Sequence, residues 1–365
     1  MSNNNIVAIR SLQCPDHAIN IPPTVISINW FLGKRCNYDC SYCSPHIHDA
    51  VSPFINQKSA IEFIKNISNN VKNKNQQIKW IFTGGEPFID PGFIPLLKTI
   101  NLTGVSTQVN VVTNGSLPLS TYLSVADLLT GITISLHPER SDKEIDQTID
   151  KIIALAKSTS TQIAVNLMFA TGRIDRYRQI IDLLRENNIW VVLRRITWAA
   201  DEPTLLPFVN NTDDKKSREL QTIPIQSILK QKYQDSTVEL VPESYYTPDE
   251  LKLLVEFNSD ANWVNAGIWH NDNSYKEVNT DLIVAESKNK FKNWICFAGV
   301  DQLQVEFDGS IYAGLCLNNG PIGHISDVNI GTATQPTICQ RNSCTCNTDI
   351  AVRKAASAEY LHLVS

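Results

Sequence analysis

From about residue 24 to residue 200, short apolar runs of strand length alternate with amphipathic helical runs, and near the C-terminus an Asp-Gly pair sits between two short alternating segments. The first pattern predicts an α/β fold with a parallel sheet, because strands separated by helices cross over and pair in parallel. The second predicts a β-hairpin. Six β/α units are too few to close an eight-stranded barrel. The expected fold class is therefore α/β: an open, partial (β/α)6 TIM-like barrel with a small C-terminal domain that contains the hairpin.

The strands are expected at Val25–Phe31, Ile78–Phe82, Gln108–Val112, Ile132–Ser135, Gln162–Met168 and Ile189–Leu193. Between them Ala60, Ile64, Ile67 and Val71 recur at i, i+4, i+7 and i+11, Ile145, Ile149, Ile152 and Ile153 form a similar face, and Ile174, Tyr177, Ile181 and Leu184 a third. From Ala200 to about Lys290 the pattern is irregular and polar, with an exposed loop expected at Asn210–Lys216. One helix is expected there: Thr247 offers an N-cap, Pro248 the first helical position, and Asp249 and Glu250 an acidic first turn before Leu251–Leu254. Tyr245, Tyr246, Trp263, Trp269 and Tyr275 do not alternate with basic residues, so they read as core or pocket walls. The organisation expected is an N-terminal extension (1–23), the partial barrel (24–200), a linking and bridging region (201–292) and a C-terminal cysteine-bearing domain (293–365).

The chain has 365 residues, 42% of them hydrophobic, enough for a sizeable core and two domains. A net charge of −5 argues against a general polyanion-binding surface, so no nucleic-acid partner is expected. The N-terminus lacks a basic start and an apolar signal core, and no apolar run approaches membrane-spanning length, so the expectation is a cytoplasmic protein with no membrane partner. Eight of the nine cysteines fall in two groups, which in a reducing compartment reads as metal ligation rather than disulfide bonding. Cys14 stands alone and reads as a small core residue.

The most informative run is Cys36-Asn37-Tyr38-Asp39-Cys40-Ser41-Tyr42-Cys43. A C-x3-C-x2-C spacing can aim three thiolates at three corners of a cubane iron–sulfur cluster, which leaves the fourth iron open to a non-protein ligand. With Tyr42 as the aromatic position, the run resembles the CxxxCxΦC signature of the radical S-adenosylmethionine (radical SAM) superfamily. The second strand is followed by Thr83-Gly84-Gly85-Glu86-Pro87, which resembles that family's GGEP motif. The resemblance implies a 4Fe-4S cluster on Cys36, Cys40 and Cys43, and S-adenosylmethionine (SAM) with its methionine amino group at Gly84, Gly85, Glu86 and Pro87. Polar residues at later strand ends, Thr113 and Asn114, then Ser135 and His137, are candidates for the SAM ribose or carboxylate, with turn formation as the plainer alternative. Arg194 and Arg195, near Trp198, are candidates for an anionic substrate group or the SAM carboxylate, against the alternative of pairing with Asp201 or Glu202. His46, His48 and Asp49 follow the cysteine loop and read as pocket lining rather than a second metal site.

The second cysteine group is Cys296, Cys316, Cys339, Cys344 and Cys346, with the hairpin turn Asp308-Gly309 between the first two. It resembles the SPASM and twitch extensions of radical SAM enzymes, although the glycine-to-cysteine spacing is longer and five cysteines are too few for two fully ligated clusters. The expectation is one auxiliary 4Fe-4S cluster with one cysteine to spare; a zinc site is the alternative.

The activity this implies is reductive cleavage of SAM to a 5′-deoxyadenosyl radical that abstracts hydrogen from a substrate carbon. An electron donor such as flavodoxin or ferredoxin would supply the first cluster. An auxiliary cluster favours oxidation, and the leading expectation is oxidative modification or cross-linking of a peptide or protein side chain. The alternatives are oxidation or epimerisation of a sugar or other small metabolite, and a non-catalytic iron–sulfur electron carrier, against which the intact GGEP run argues. No catalytic acid or base is assigned.

Overall fold

The structure is a computed structural model that describes residues 6–12, 25–40, 43, 48–196, 246–259, 265–317, 320–327, 333, 335–344 and 346–364. The expectations for Cys14, Tyr42, His46, Trp198, Asp201, Glu202, the Asn210–Lys216 loop, Tyr245 and Trp263 lie outside the described residues.

After a first strand, β1 (Ile6–Ser11), the chain forms β2 (Val25–Phe31), β3 (Gln77–Thr83), β4 (Ser106–Thr113), β5 (Gly131–Leu136), β6 (Gln162–Phe169) and β7 (Trp190–Arg195). Each of these six pairs in parallel with the next. The crossovers carry α1 (Gln57–Asn73), α2 (Phe93–Thr103), α3 (Leu119–Leu123), α4 (Asp142–Ser158) and α5 (Ile174–Glu186). The expected strands all appear, the first with the same bounds. The helical faces read from periodicity are the buried ones: Ala60, Ile64, Ile67 and Val71 in α1, Ile145, Ile149 and Ile152 in α4, and Tyr177, Ile181 and Leu184 in α5. Ile153 is only partly buried against this core.

Local signals set the helix starts. Asn56 caps α1 by accepting from the Ser59 N–H, and Ser141 with Glu144 forms a reciprocal capping box at α4. Thr247 does the same for the helix Pro248–Ser259: its hydroxyl accepts from the Glu250 N–H at 3.3 Å, and the Glu250 carboxylate accepts from the Thr247 N–H at 2.8 Å.

Alternate residues of the strands face opposite ways. One face packs on the helices through Trp30, Trp80 and Phe82, with Trp80 stacked on Phe82 and Phe63 of α1 edge-on to Trp30 at 5.3 Å. The other face carries Ser27, Asn29, Lys79, Asn110, Thr133, Asn166 and Arg194, as the strand registers require.

The remaining strands are β8 (Ala266–His270), β9 (Tyr275–Val278), β10 (Ile295–Cys296), β11 (Gln302–Val305), β12 (Ser310–Tyr312), β13 (Gly323–His324), β14 (Thr337–Ile338) and β15 (Lys354–Ala355). The hairpin expected around Gly309 is β11–β12, but it does not stand in a separate domain. β11 pairs in parallel with β2, extending the main sheet to nine strands in the order β13-β12-β11-β2-β3-β4-β5-β6-β7. The other six strands form an antiparallel sheet, β14-β10-β15-β1-β8-β9. Segment 1–23 is thus not merely an extension: β1 lies inside this second sheet, between β15 and β8, and Ala8 and Ile9 have no exposed surface. The bridging region likewise supplies β8 and β9. These departures share a cause, since the partners lie hundreds of residues away and strand periodicity says nothing about which edge a strand joins.

Ile9→Ala is expected to lower unfolding free energy by about 2–5 kcal/mol, as for a buried core residue, where a surface extension would give a change within about 0.5 kcal/mol. Chemical denaturation of the two proteins checks this.

Candidate functional site

The cysteine loop leaves the C-terminal end of β2, the end at which parallel α/β folds gather their functional loops. It is pinned at its base by backbone pairing: Cys36 N–H donates to Asp49 O at 2.7 Å, and Asp49 N–H to Lys34 O at 2.8 Å. A further turn bond runs from Cys43 N–H to Cys40 O at 3.0 Å. Two donors approach the Cys36 sulfur, the Tyr38 N–H at 3.4 Å and the Asn114 amide at 3.8 Å. Burial pushes the Cys36 thiol pKa up to about 11 against these donors. His137 Nδ1 lies 3.4 Å from the Cys40 sulfur, and the Tyr38 ring meets its imidazole edge-on. Burial, aided by the Arg140 charge, lowers the His137 pKa to about 4, so the ring is neutral at neutral pH.

The Gly-Gly pair packs against this loop. Gly84 and Gly85 have φ of +88° and +42°, and a Cβ on Gly85 would stand 2.1 Å from the Arg35 carbonyl oxygen. The close approach that makes glycine necessary here is therefore to the cysteine loop's own backbone. Glu86 N–H completes the contact by donating to Arg35 O at 2.9 Å.

The Glu86 side chain, 2% exposed, accepts from Thr113 Oγ1 at 2.7 Å, Asn114 N–H at 2.7 Å and Phe88 N–H at 3.1 Å. Burial raises its pKa despite these three donors. Pro87 opens the 3-10 turn Pro87–Ile89 that Glu86 caps. Glu86, Pro87 and the Thr113 hydroxyl are thus engaged with protein groups. Asn114 also donates to Asn37 Oδ1 at 2.9 Å, a loop residue that the sequence reading overlooked because only the fold brings it to the end of β4. Ser135 is half-buried in β5, and its hydroxyl has no hydrogen-bond partner among the described residues.

The two arginines separate. Arg194 donates to Asn166 Oδ1 at 3.1 Å and forms an ion pair with Asp281 of the bridging region. Arg195 is buried, with its guanidinium 5.7 Å from the Tyr246 ring centroid. His48 pairs with Asp39 at 3.1 Å, while the Asp49 carboxylate accepts from the Val51 and Ser52 N–H groups.

The second cysteine group lies in the core of the antiparallel sheet, where Cys296, Cys339 and Cys344 are buried. The Cys344 thiol is within electrostatic reach of Cys316 and Cys296, and Cys296 of Cys339. Cys346 turns to Thr348 Oγ1, 2.9 Å away. Asp349 holds the Cys316 end of this group, accepting from the Leu315 N–H at 3.2 Å and the Cys316 N–H at 2.9 Å. Among the described residues no three His, Cys, Asp or Glu side chains converge as ligands of a single ion do. A cubane spreads its cysteines over separate irons, so its ligands stand farther apart than those of one ion.

Glu306 follows β11 on the face that carries Gln302 and Gln304, at the same end of the sheet as the cysteine loop. The parallel register of β11 with β2 puts it there, and nothing in its local sequence marks it. It is buried, accepts from Gln304 Nε2 at 3.0 Å, and adjoins Phe307, whose ring lies 4.4 Å from the Lys34 ammonium. Burial, reinforced by the Asp308 and Asp349 carboxylates, raises its pKa to about 7, with Gln304 and Lys34 opposing.

The fold is thus a parallel α/β sheet that presents three cysteines on the loop after its first parallel strand, backed by a glycine pair. The Radical SAM superfamily profile matches residues 30–197, and this part of the chain belongs to that superfamily. Over 206 residues the chain is 24% identical to the S-adenosylmethionine-dependent nucleotide dehydratase of Flammeovirga pacifica, covering 54% of this chain and 63% of that protein. Over 185 residues it is 24% identical to the protein of the same name from Selenomonas ruminantium, covering 46% and 65%. The chain thus spans less than two thirds of the length of these curated relatives. Among solved structures, Streptococcus suis SuiB bound to precursor peptide SuiA superposes with a TM-score of 0.46 at 11% identity, covering 84% of this chain and 64% of that one. Native anSMEcpe with bound AdoMet gives 0.47 at 13%, covering 83% and 78%.

Gly85→Val must displace the Arg35 backbone, so it is expected to lower stability and, if the first cysteine group holds iron as proposed below, its iron content too. Gly104→Ala, at φ +68° with nothing within 4 Å, should cost only about 1–2 kcal/mol of backbone strain and leave iron content unchanged. Metal analysis after anaerobic reconstitution checks both.

For Glu306 the folded chain binds the proton more tightly than the unfolded chain. Its contribution to stability is therefore full below about pH 4.5 and is lost as pH rises through about 7. Glu306→Gln should remove this fall, seen as a difference between wild-type and variant unfolding curves recorded from pH 4 to 8.

Proposed function

We propose that the chain is a radical SAM enzyme that oxidises its substrate, with a SAM-binding 4Fe-4S cluster on Cys36, Cys40 and Cys43 and one auxiliary 4Fe-4S cluster in the second cysteine group. The observation that carries this reading is the first loop: three cysteines at the C-terminal end of β2, with N–H donors turned on the Cys36 sulfur. Such donors stabilise thiolate over thiol, which is the form that ligates iron. When bound, the reduced cluster and SAM supply a 5′-deoxyadenosyl radical able to take a hydrogen atom from an unactivated carbon.

Several of the chain's own contacts support this reading. Gly84 and Gly85 let the loop after β3 close on Arg35, and Glu86, Thr113 and Asn114 tie the ends of β3 and β4 to the cysteine loop. Ser135 retains hydrogen-bonding capacity for SAM. Neutral His137 offers the Cys40 sulfur a ring nitrogen and no positive charge. Ligation takes the cysteines as thiolates, so loading the site releases their thiol protons.

For the auxiliary cluster we assign Cys296, Cys316, Cys339 and Cys344 as ligands, since these thiols act on one another, and Cys346 as the spare, since it turns to Thr348. A closed four-thiolate site suits electron transfer, and an electron acceptor has a place in an oxidation. The proposed substrate is a peptide or protein side chain, and the proposed reductant of the first cluster a flavodoxin or ferredoxin. The similarity to nucleotide dehydratases favours a second reading, a nucleotide or other small metabolite as substrate. Loss of water is redox-neutral, however, and leaves a second electron-accepting site without a part.

Anaerobically reconstituted protein should hold about eight irons per chain and cleave SAM to 5′-deoxyadenosine under dithionite. Cys36→Ala/Cys40→Ala/Cys43→Ala should retain about four irons and lose the cleavage. A triple variant that keeps both its iron and 5′-deoxyadenosine formation would sink the assignment.

A further inference from the structure

The second cysteine group encloses a buried cation. Lys354 of β15 lies directly across the ladder from Cys296 of β10 and is 2% exposed. Its Nζ donates to three backbone carbonyls where the short helix Asn347–Ala351 ends: those of Asp349, Ile350 at 3.3 Å and Val352 at 3.2 Å. Three acceptors on one nitrogen use three protons, which an ammonium has and a neutral amine lacks. Cys296, Cys344, Asp349 and Cys339 all lie within electrostatic reach of this nitrogen. The Asp349 carboxylate is meanwhile engaged by the Leu315 and Cys316 N–H groups and the Gln302 amide, and the Phe291 ring lies 5.5 Å from the ammonium.

We infer that Lys354 is the charge-compensating residue of the auxiliary site: its fixed positive charge offsets the thiolates gathered around Cys296 and raises the reduction potential of the cluster they hold. This rests on the auxiliary 4Fe-4S cluster proposed above. One-electron reduction adds a negative charge to an already anionic four-thiolate cluster, and a cation in the same low-dielectric core stabilises the reduced form more than the oxidised one. The plainer role, capping the carbonyls of the short helix, predicts an effect on stability and none on potential.

The test uses the full chain carrying Cys36→Ala/Cys40→Ala/Cys43→Ala, so that after anaerobic reconstitution only the second site holds iron. A dithionite titration followed by electron paramagnetic resonance reads its midpoint, with dithionite supplying the electron. In that background Lys354→Met should hold about four irons per chain and show a more negative midpoint, while Lys354→Arg, which keeps the charge, should stay near the parent. An unchanged midpoint in fully loaded Lys354→Met would overturn the inference and leave the capping role. If Lys354→Met and Lys354→Gln fail to load iron while Lys354→Arg loads fully, charge compensation is needed for ligation itself and the inference stands. Equal loss of iron in all three overturns it. Failure of the parent background to assemble any 4Fe-4S signal refutes the auxiliary-cluster reading itself, an outcome separate from an unchanged midpoint.

Discussion

The Glu86 carboxylate sits where the ends of β3 and β4 meet the cysteine loop, and the geometry of the site depends on its three accepted hydrogen bonds. Its backbone N–H reaches the Arg35 carbonyl, while its side chain takes the Thr113 hydroxyl and the Asn114 N–H. A carboxylate placed in the core without such partners would cost several kcal/mol, so this position tolerates no half-formed arrangement. The consequence reaches the sulfur, because the same Asn114 turns its amide to Asn37 and Cys36. The glycines before Glu86 belong to the same constraint, since the loop can close on Arg35 only where no Cβ intervenes.

A second constraint comes from strand assembly. Because β11 adds to the main sheet beside β2, the hairpin that leads from Cys296 to Cys316 is built directly onto the strand that leads to Cys36. The loop that carries Cys36 and the hairpin that leads to Cys316 are therefore built on neighbouring strands of one sheet, while Cys296 itself lies in β10 of the other. Glu306 is carried to the cysteine-loop end of that sheet by the same pairing. On the far side, the Arg194 ion pair with Asp281 ties β7 to the bridging region. The Arg194 side of this pair is partly exposed and also donates to Asn166, so the pair offsets its own desolvation more than it adds stability.

Burial also divides the titratable groups by task. Glu86 and Lys354 are buried with their hydrogen-bonding capacity met by protein groups, and both serve to position or to balance charge. Glu306 is buried with Gln304 donating to its carboxylate, and burial raises its pKa to about 7. His137 is held neutral beside a cysteine. The sequence distinguishes none of these roles, because each depends on what the fold packs around the side chain.

The β/α alternation, the helical faces of α1, α4 and α5, the capping of the helix at Pro248, and the cysteine and Gly-Gly-Glu-Pro runs were legible in the chain alone. Each is a local matter: periodicity, a cap or a spacing completes its signal within a few residues. The use of Glu86 and Gly85 as braces, rather than as bare ligand contacts, was not legible, because it depends on where the Arg35 and Asn114 backbones lie. Nor was the place of Ile6–Ser11, the attachment of the hairpin to β2, or the meeting of Lys354 with Cys296. These pairings join residues up to about 350 positions apart, and a strand's own sequence specifies which face it buries but not which distant edge it meets. Tertiary structure decided them, through backbone hydrogen bonding at sheet edges and the cost of burying polar groups such as Glu86 and Lys354 without hydrogen-bond partners.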